Sequence, residues 1–187
     1  MARKLIMWNL VSLDGFFEGP KKWDLDFHNY VWGDELERLS IEQLRSADAL
    51  VFGRVTYEGM AAYWPNASGE TTETADLMNS VQKIVFSRSL AKADWPNTRI
   101  VSGDTAQEIA KLKNASGQNL YVFGSADLSA TFMQHDLFDE YRLCIVPVVL
   151  GTGTPLFKPS VAGKRLKLRG SRQLASGGVI VEYAPAT

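Results

Sequence analysis

Ala49-Leu50-Val51-Phe52-Gly53-Arg54-Val55-Thr56-Tyr57-Glu58 is the stretch on which the fold turns. Ala49 to Phe52 is a short apolar run of the kind a strand buried on both faces requires. Glycine ends it, and from Arg54 to Tyr63 the apolar spacing becomes helical. Strand, glycine turn and helix make half of a βαβ unit, and the same rhythm continues on both sides. Upstream, Lys4 to Val11 reads as a strand, and Asp34 to Ala47 as a helix with Leu36, Leu39, Ile41 and Leu44 giving one buried face. Downstream come a helix over Glu70 to Ser80, a strand over Lys83 to Phe86 that stops at Ser87-Arg88, and a strand over Arg99 to Val101. A helix over Thr105 to Asn114, a strand over Leu120 to Phe123, a helix over Ala126 to Gln134 and a long strand over Tyr141 to Leu150 follow. The alternation then stops at Gly151, Gly153, Pro155 and Pro159. Leu166 to Leu174 and Val179 to Tyr183, joined at Ser176-Gly177-Gly178, read as an antiparallel hairpin. The expectation is an α/β fold: a central mixed, mostly parallel sheet flanked by helices, closed at its C-terminal edge by that hairpin. Ligands belong outside the carboxyl ends of the parallel strands.

The chain has 187 residues, which suits one domain spanning 1–187, and its 45% apolar and 22% charged residues are those of a globular protein. Twenty Lys+Arg against 21 Asp+Glu leave a net charge of -1, without the basic excess of a nucleic-acid or membrane-surface binder. One cysteine, Cys144, and two histidines fall short of a Cys/His zinc site, so no metal is expected. Arg3 and Lys4 precede an apolar stretch as in a secretion signal, but Asn9, Ser12 and Asp14 interrupt it. The expected location is the cytoplasm.

Three predicted strand ends carry turns of one character: Phe52-Gly53-Arg54-Val55-Thr56, Phe86-Ser87-Arg88-Ser89 and Phe123-Gly124-Ser125-Ala126-Asp127. A glycine ahead of a helix lets backbone amides approach an anion, and the helix N-terminus adds partial positive charge. Arg54 and Arg88, on neighbouring strand ends, suit a second phosphate such as the 2′-phosphate of a dinucleotide. Each turn taken singly also fits a structural role, with Gly53 and Gly124 ending strands, Ser125 capping a helix and the arginines solvated. Neither a complete G-x-G-x-x-G nor a Walker G-K-[ST] motif is present.

Trp8-Asn9-Leu10-Val11-Ser12-Leu13-Asp14-Gly15, Phe52-Gly53-Arg54-Val55-Thr56-Tyr57-Glu58, Val122-Phe123-Gly124-Ser125 and Pro147-Val148-Val149-Leu150-Gly151, in this order and spacing, resemble the dihydrofolate reductase-like family. The match is to the branch similar to the reductase domain of bacterial riboflavin biosynthesis, and it covers nearly the whole chain. The resemblance implies a dihydrofolate reductase-like fold, NADPH laid across the strand ends, and hydride transfer to a pteridine, pyrimidine or related heterocycle. Carried over by position, it places Gly53, Arg54, Val55 and Thr56 on the adenosine side of NADPH, with Ser87 and Arg88 at the second strand end of that side. Gly124, Ser125 and Ala126 receive the pyrophosphate, with Leu128 behind them. The loop from Ser12 to Glu18, with Asp14 and Gly15 in its motif, closes over the nicotinamide, and Trp8 and Asn9 face the substrate. A homodimer is also implied.

The chain departs from that pattern in two respects. Trp8 stands where the riboflavin-pathway reductase has a lysine, and the zinc motif of the fused deaminase is absent, which argues against riboflavin synthesis. True dihydrofolate reductases place a carboxylate sixteen residues before the motif glycine; here that register falls on Glu37. Glu37 and Asp14 are therefore the candidate catalytic groups, Glu37 as a proton relay if burial raises its pKa, or as an ordinary surface residue. Trp23, Phe27, His28, Tyr30 and Trp32 form an aromatic-rich stretch in which Trp23 and Phe27 are candidates to line a flat substrate, core packing being the alternative. The sequence thus points to an NADPH-dependent oxidoreductase acting on a small heterocycle. The alternatives are an NADPH-binding module without catalysis and a protein binding FMN or another phosphate ligand.

Overall fold

In the computed structural model, which describes residues 3–67 and 72–186, the chain builds one sheet of eight strands. These are β1 (Leu5–Ser12), β3 (Ala47–Gly53), β4 (Gln82–Phe86), β5 (Thr98–Val101), β6 (Asn119–Phe123), β7 (Glu140–Val146), β9 (Leu166–Gln173) and β10 (Val179–Pro185). Their order is β5-β4-β3-β6-β1-β7-β10-β9. Every pairing from β5 to β7 is parallel, and β10 and β9 add the expected antiparallel edge. A second, two-stranded sheet pairs β2 (Phe16–Glu18) with β8 (Thr154–Pro155).

The helices are α1 (Asp34–Arg45), α2 (Arg54–Tyr63), α3 (Thr72–Ser80), α4 (Thr105–Asn114) and α5 (Ala126–Gln134). α1 opens with Asp34, Glu35 and Glu37 in its first turn and closes with Arg45 in its last, an order that favours the helix dipole at both ends. α4 is capped by Asp104, whose side chain accepts the Gln107 N–H at 2.8 Å. The predicted helix over Glu70 to Ser80 is present from Thr72; Glu70 and Thr71 lie outside the described residues.

All eight residues of β1 are buried, because it lies mid-sheet with helices on both faces. Alternation along the strands then feeds two cores. Ile6, Trp8, Leu10, Leu50, Phe52, Val85 and Tyr121 pack in one, together with Leu36 and Leu44 of α1, Tyr57 of α2 and Met78 of α3. Leu5, Met7, Val51, Ile84, Leu120 and Val122 pack in the other with Ile109 of α4 and Phe132 and Met133 of α5.

The strand expected over Tyr141 to Leu150 ends at Val146. Pro147 has no N–H to continue the ladder. Val148 N–H turns back to the Val146 carbonyl at 2.8 Å, while the Val148 carbonyl accepts the Leu13 N–H at 2.8 Å. Asp14 then takes the Leu150 and Gly151 amides, at 3.1 and 2.7 Å. The segment 147–151 is thereby tied to the loop after β1, over the carboxyl end of the sheet.

Candidate functional site

β4, β3 and β6 are parallel neighbours, so the three turns singled out in the sequence stand on one rim. Two of them interlock. Gly124 and Ser125 have left-handed φ values of +57° each. A Cβ at Gly124 would lie 3.1 Å from Thr56 Cγ2, so the left-handed conformation and the close approach both call for glycine there. Ser125 does not cap α5. Its hydroxyl instead accepts the Gly53 N–H at 3.0 Å and donates to the Phe123 carbonyl at 3.2 Å, while its own N–H donates to Thr56 Oγ1 at 3.0 Å. Asn9 Oδ1 accepts the Gly124 N–H at 2.8 Å and ties the turn to β1.

This bracing leaves the starts of α2 and α5 without side-chain caps. The first-turn amides of both helices therefore have no partner within their own helix and remain donors for something else. α2 has no acidic residue in its first turn, and Asp127 of α5 is met by Lys158 Nζ at 3.2 Å. Arg54 opens α2 in an exposed i,i+4 pair with Glu58, at 2.9 Å.

Both helix starts face a cavity of about 1080 Å³, slightly above the upper end of the usual range for a single small-ligand site, about 300–1,000 Å³. Of the residues expected at the site, Trp8, Asn9, Trp23, Gly53, Arg54, Val55, Thr56, Gly124, Ser125, Ala126 and Leu128 line it. Seven others stand outside its lining. Ser12 is buried beneath the loop, its Oγ accepting the Phe16 N–H at 2.9 Å. Asp14 holds the Leu150 and Gly151 amides, and the Ser12 side chain first, then those amides, keep its carboxyl below the ordinary pKa. Gly15 turns the same loop at φ +90°. Ser87 folds its hydroxyl back onto the Ser89 and Leu90 amides, and Arg88 is exposed beyond it. Phe27 is core, 4% exposed. Glu37 lies one turn before Ser40 on α1; at that level Ser40 and Leu44 form the wall.

The structure adds residues the sequence did not single out for this site. Lys158 arrives on the connection after β8 and Lys22 on the turn after β2, while Glu18, the far end of the loop expected over the nicotinamide, closes β2. Leu44, Met60, Trp64 and Met78 supply an apolar inner wall between α1, α2 and α3. Trp23 has φ +63°, and its ring covers Gly59 so closely that a Cβ there would fall 1.8 Å from Trp23 Cζ2. A glycine inside the helical pattern of α2 was the one readable sign of that seat. His28, from the aromatic-rich stretch, is half-buried: burial lowers its pKa to about 4, with the Phe17 backbone pulling the other way, so it is neutral at pH 7. Cys144 is buried and its thiol is pushed up to about 11 by burial, which suits a packing role. Among the described residues no group of three His, Cys, Asp or Glu side chains is placed to hold a metal ion, and no helix is long and apolar enough to cross a membrane.

A dinucleotide fits the chemistry of this rim. Two uncapped helix starts offer backbone donors to phosphate oxygens, Gly124 leaves room for close approach, and Arg54 and Lys158 supply cations beside them. Fold and site together define an α/β protein with a rim of uncapped helix starts and an apolar inner compartment.

Residues 3–180 match the RibD C-terminal domain, and the chain belongs to that family. It is 34% identical to the uncharacterized protein YyaP of Bacillus subtilis (strain 168), over 97% of this chain and 94% of that one. It is 27% identical to YwjB of the same organism, over 92% and 93% of the two chains. Among solved structures, a protein of Shewanella sp. PV-4 named for riboflavin biosynthesis superposes with a TM-score of 0.79 at 22% identity, over the whole of both chains. Dihydrofolate reductase from Enterococcus faecalis, solved with NADP(H), superposes with a TM-score of 0.65 at 12% identity, again over both whole chains. The fold is that of dihydrofolate reductase, and the family is of the reductase type.

Proposed function

We propose that this protein is an NADPH-dependent oxidoreductase that reduces a small heterocycle in the inner compartment. The observation that carries the reading is the convergence of two uncapped helix starts, α2 and α5, on one cavity through the interlocked Gly53 and Gly124-Ser125 turns. NADPH supplies the hydride when bound. In this reading the first-turn amides of α5, from Ala126 to Leu128, hold the pyrophosphate, and those of α2, from Arg54 to Thr56, hold the adenosine phosphate. Arg54 meets the 2′-phosphate as a charge-assisted donor. Trp8, Asn9 and Trp23 shape the space where the reacting rings meet and keep water from it. Asp14 acts as a positioning residue: it pins 147–151 to the loop that covers the site. Arg88 and Ser87 stand beyond the cavity lining and take no part in this assignment. Glu37, outside the lining, is given no contact with substrate. The homodimer implied by the resemblance and the cytoplasmic location read from the sequence belong to the same proposal.

Thermal-shift titration with NADPH, NADH and FMN in parallel tests it. A ligand at one hundred times its dissociation constant adds about 2.7 kcal/mol, a rise of about 5–10 °C in Tm for a domain of this size. The expected result is a shift with NADPH well above that with NADH, and none with FMN. A shift with FMN alone would assign the rim to a different phosphate ligand. Binding of NADPH without its oxidation across a panel of pteridines and pyrimidines would favour a cofactor-binding module instead.

A further inference from the structure

Lys83, on β4, is the one basic residue among those described that is fully buried, and burial is not offset by any carboxylate paired with it. An uncompensated buried charge is costly, so its contacts show what it is held for. Nζ donates to the Met78 carbonyl at 3.1 Å and to the Asn79 carbonyl at 2.8 Å, in the last turns of α3, and lies 4.5 Å from the centroid of the Trp95 indole. Carbonyls at a helix end lack partners within the helix, and the dipole favours a cation there. The indole face adds a cation–π attraction.

These contacts run on into the cavity wall. Met78, whose carbonyl Lys83 holds, lines the cavity. Asn79 Oδ1 accepts the Trp95 indole N–H at 2.7 Å, and Asn79 Nδ2 donates to the Trp64 carbonyl at 3.1 Å. Trp64 lines the same cavity and gives its own indole N–H to Met60 Sδ, another lining atom, at 3.1 Å. One ammonium thus anchors a chain of contacts that ends in Met60, Trp64 and Met78.

Burial lowers the pKa of Lys83 to about 8. Its neighbours in register, Leu50 on β3 and Thr98 on β5, carry no charge. On α3, Glu73 and Asp76 are exposed, Glu73 with Arg45; beside Trp95, Lys92 and Asp94 are exposed and paired with each other. Arg99 of β5 is exposed toward Glu108, and Asp48 of β3 is held by Arg3. From α2 comes Tyr57, buried, whose hydroxyl accepts the Trp95 backbone N–H at 3.2 Å. Loss of the proton takes away one of three N–H groups together with the attraction to the indole face and to the helix end.

We propose that Lys83 is a protonation-sensitive strut behind the cavity: as an ammonium it fixes the end of α3 and the Trp64 turn, and as an amine it loosens the inner wall. The device acts on the shape of the compartment and is independent of which ligand the compartment takes.

The test is a titration of 15N-labelled protein from about pH 6.5 to 9.5, followed by the indole N–H signals in 1H–15N spectra and, in parallel, by Tm. The signals of Trp64 and Trp95, assigned with Trp64→Phe and Trp95→Phe, should shift together with a midpoint near 8. Neither should shift in Lys83→Met, which keeps the length of the side chain without its charge. Because the folded pKa lies below the ordinary 10.5, the unfolded chain binds more protons between those values, so the Tm of wild type should rise relative to Lys83→Met as pH increases past 8. If Lys83→Met does not fold, wild type labelled with 13C at lysine Cε decides: one Cε signal must titrate at the midpoint of the indoles. Indole signals that stay constant, a Trp95 shift that Trp64 does not follow, the same titration in Lys83→Met, or no lysine Cε signal at that midpoint would overturn the proposal.

Discussion

Gly59 shows how a single missing methyl shapes the site. Inside α2 a glycine is worse than alanine by about 1 kcal/mol, so Gly59→Ala would stabilise an isolated helix. Here the new Cβ would sit 1.8 Å from Trp23 Cζ2, and the indole would have to leave its seat. Trp23 also holds φ +63°, with its amide fixed by Glu18, so it cannot slide aside without releasing the loop. We expect Gly59→Ala to lower Tm despite its better helix propensity and to shift tryptophan emission to the red; a higher Tm with unchanged emission would mean that the ring has other room. At this scale the sequence was partly legible. Arg54, Thr56, Gly124 and Ser125 were identified by motif, and all four line the cavity. The role of Ser125 was not legible, since nothing local distinguishes a serine that caps its own helix from one that braces a turn 72 residues away. Glu37 was found by register alone, and the rotation of α1 presents Ser40 and Leu44 instead.

The 3-10 turn from Asp26 to Tyr30 buries Phe27 in the core and sets His28 in the cavity wall. Its histidine links folding to pH. The folded pKa of about 4 lies below the ordinary 6.5, so between those values the unfolded chain binds more protons than the folded one. Stability is therefore fully present above about pH 6.5 and falls as pH drops toward 4, by on the order of 3 kcal/mol if the whole gap is expressed. Urea unfolding at pH 7 and pH 4 should show a smaller loss in His28→Phe than in wild type, the difference being this contribution. Equal losses would place His28 in water in the folded state. Sequence periodicity does not reveal such an element, because five residues of 3-10 helix leave no repeat to read. β2 and β8, of three and two residues, escape for the same reason. The long elements were legible because alternation and helical spacing persist through them; β7 was overextended because apolar character continues past Pro147 while hydrogen bonding does not.

Across the whole molecule, strand order converts distant turns into one site. β3 and β6 lie next to each other though their turns are separated by about seventy residues, and β1 lies beside β6, which brings Asn9 to Gly124. A mostly parallel sheet was foreseeable from the strand and helix alternation, but its order was not, because many orders satisfy the same rhythm. The central claim is that this assembled rim holds NADPH and distinguishes it by its 2′-phosphate. The most direct measurement is the pair of dissociation constants for NADPH and NADH in wild type and in Arg54→Ala. A hydrogen bond to a charged group contributes about 1.5–3 kcal/mol, so the variant should lose about 10- to 150-fold in NADPH affinity and almost nothing for NADH. Equal losses for the two cofactors, or no loss for either, would contradict the account.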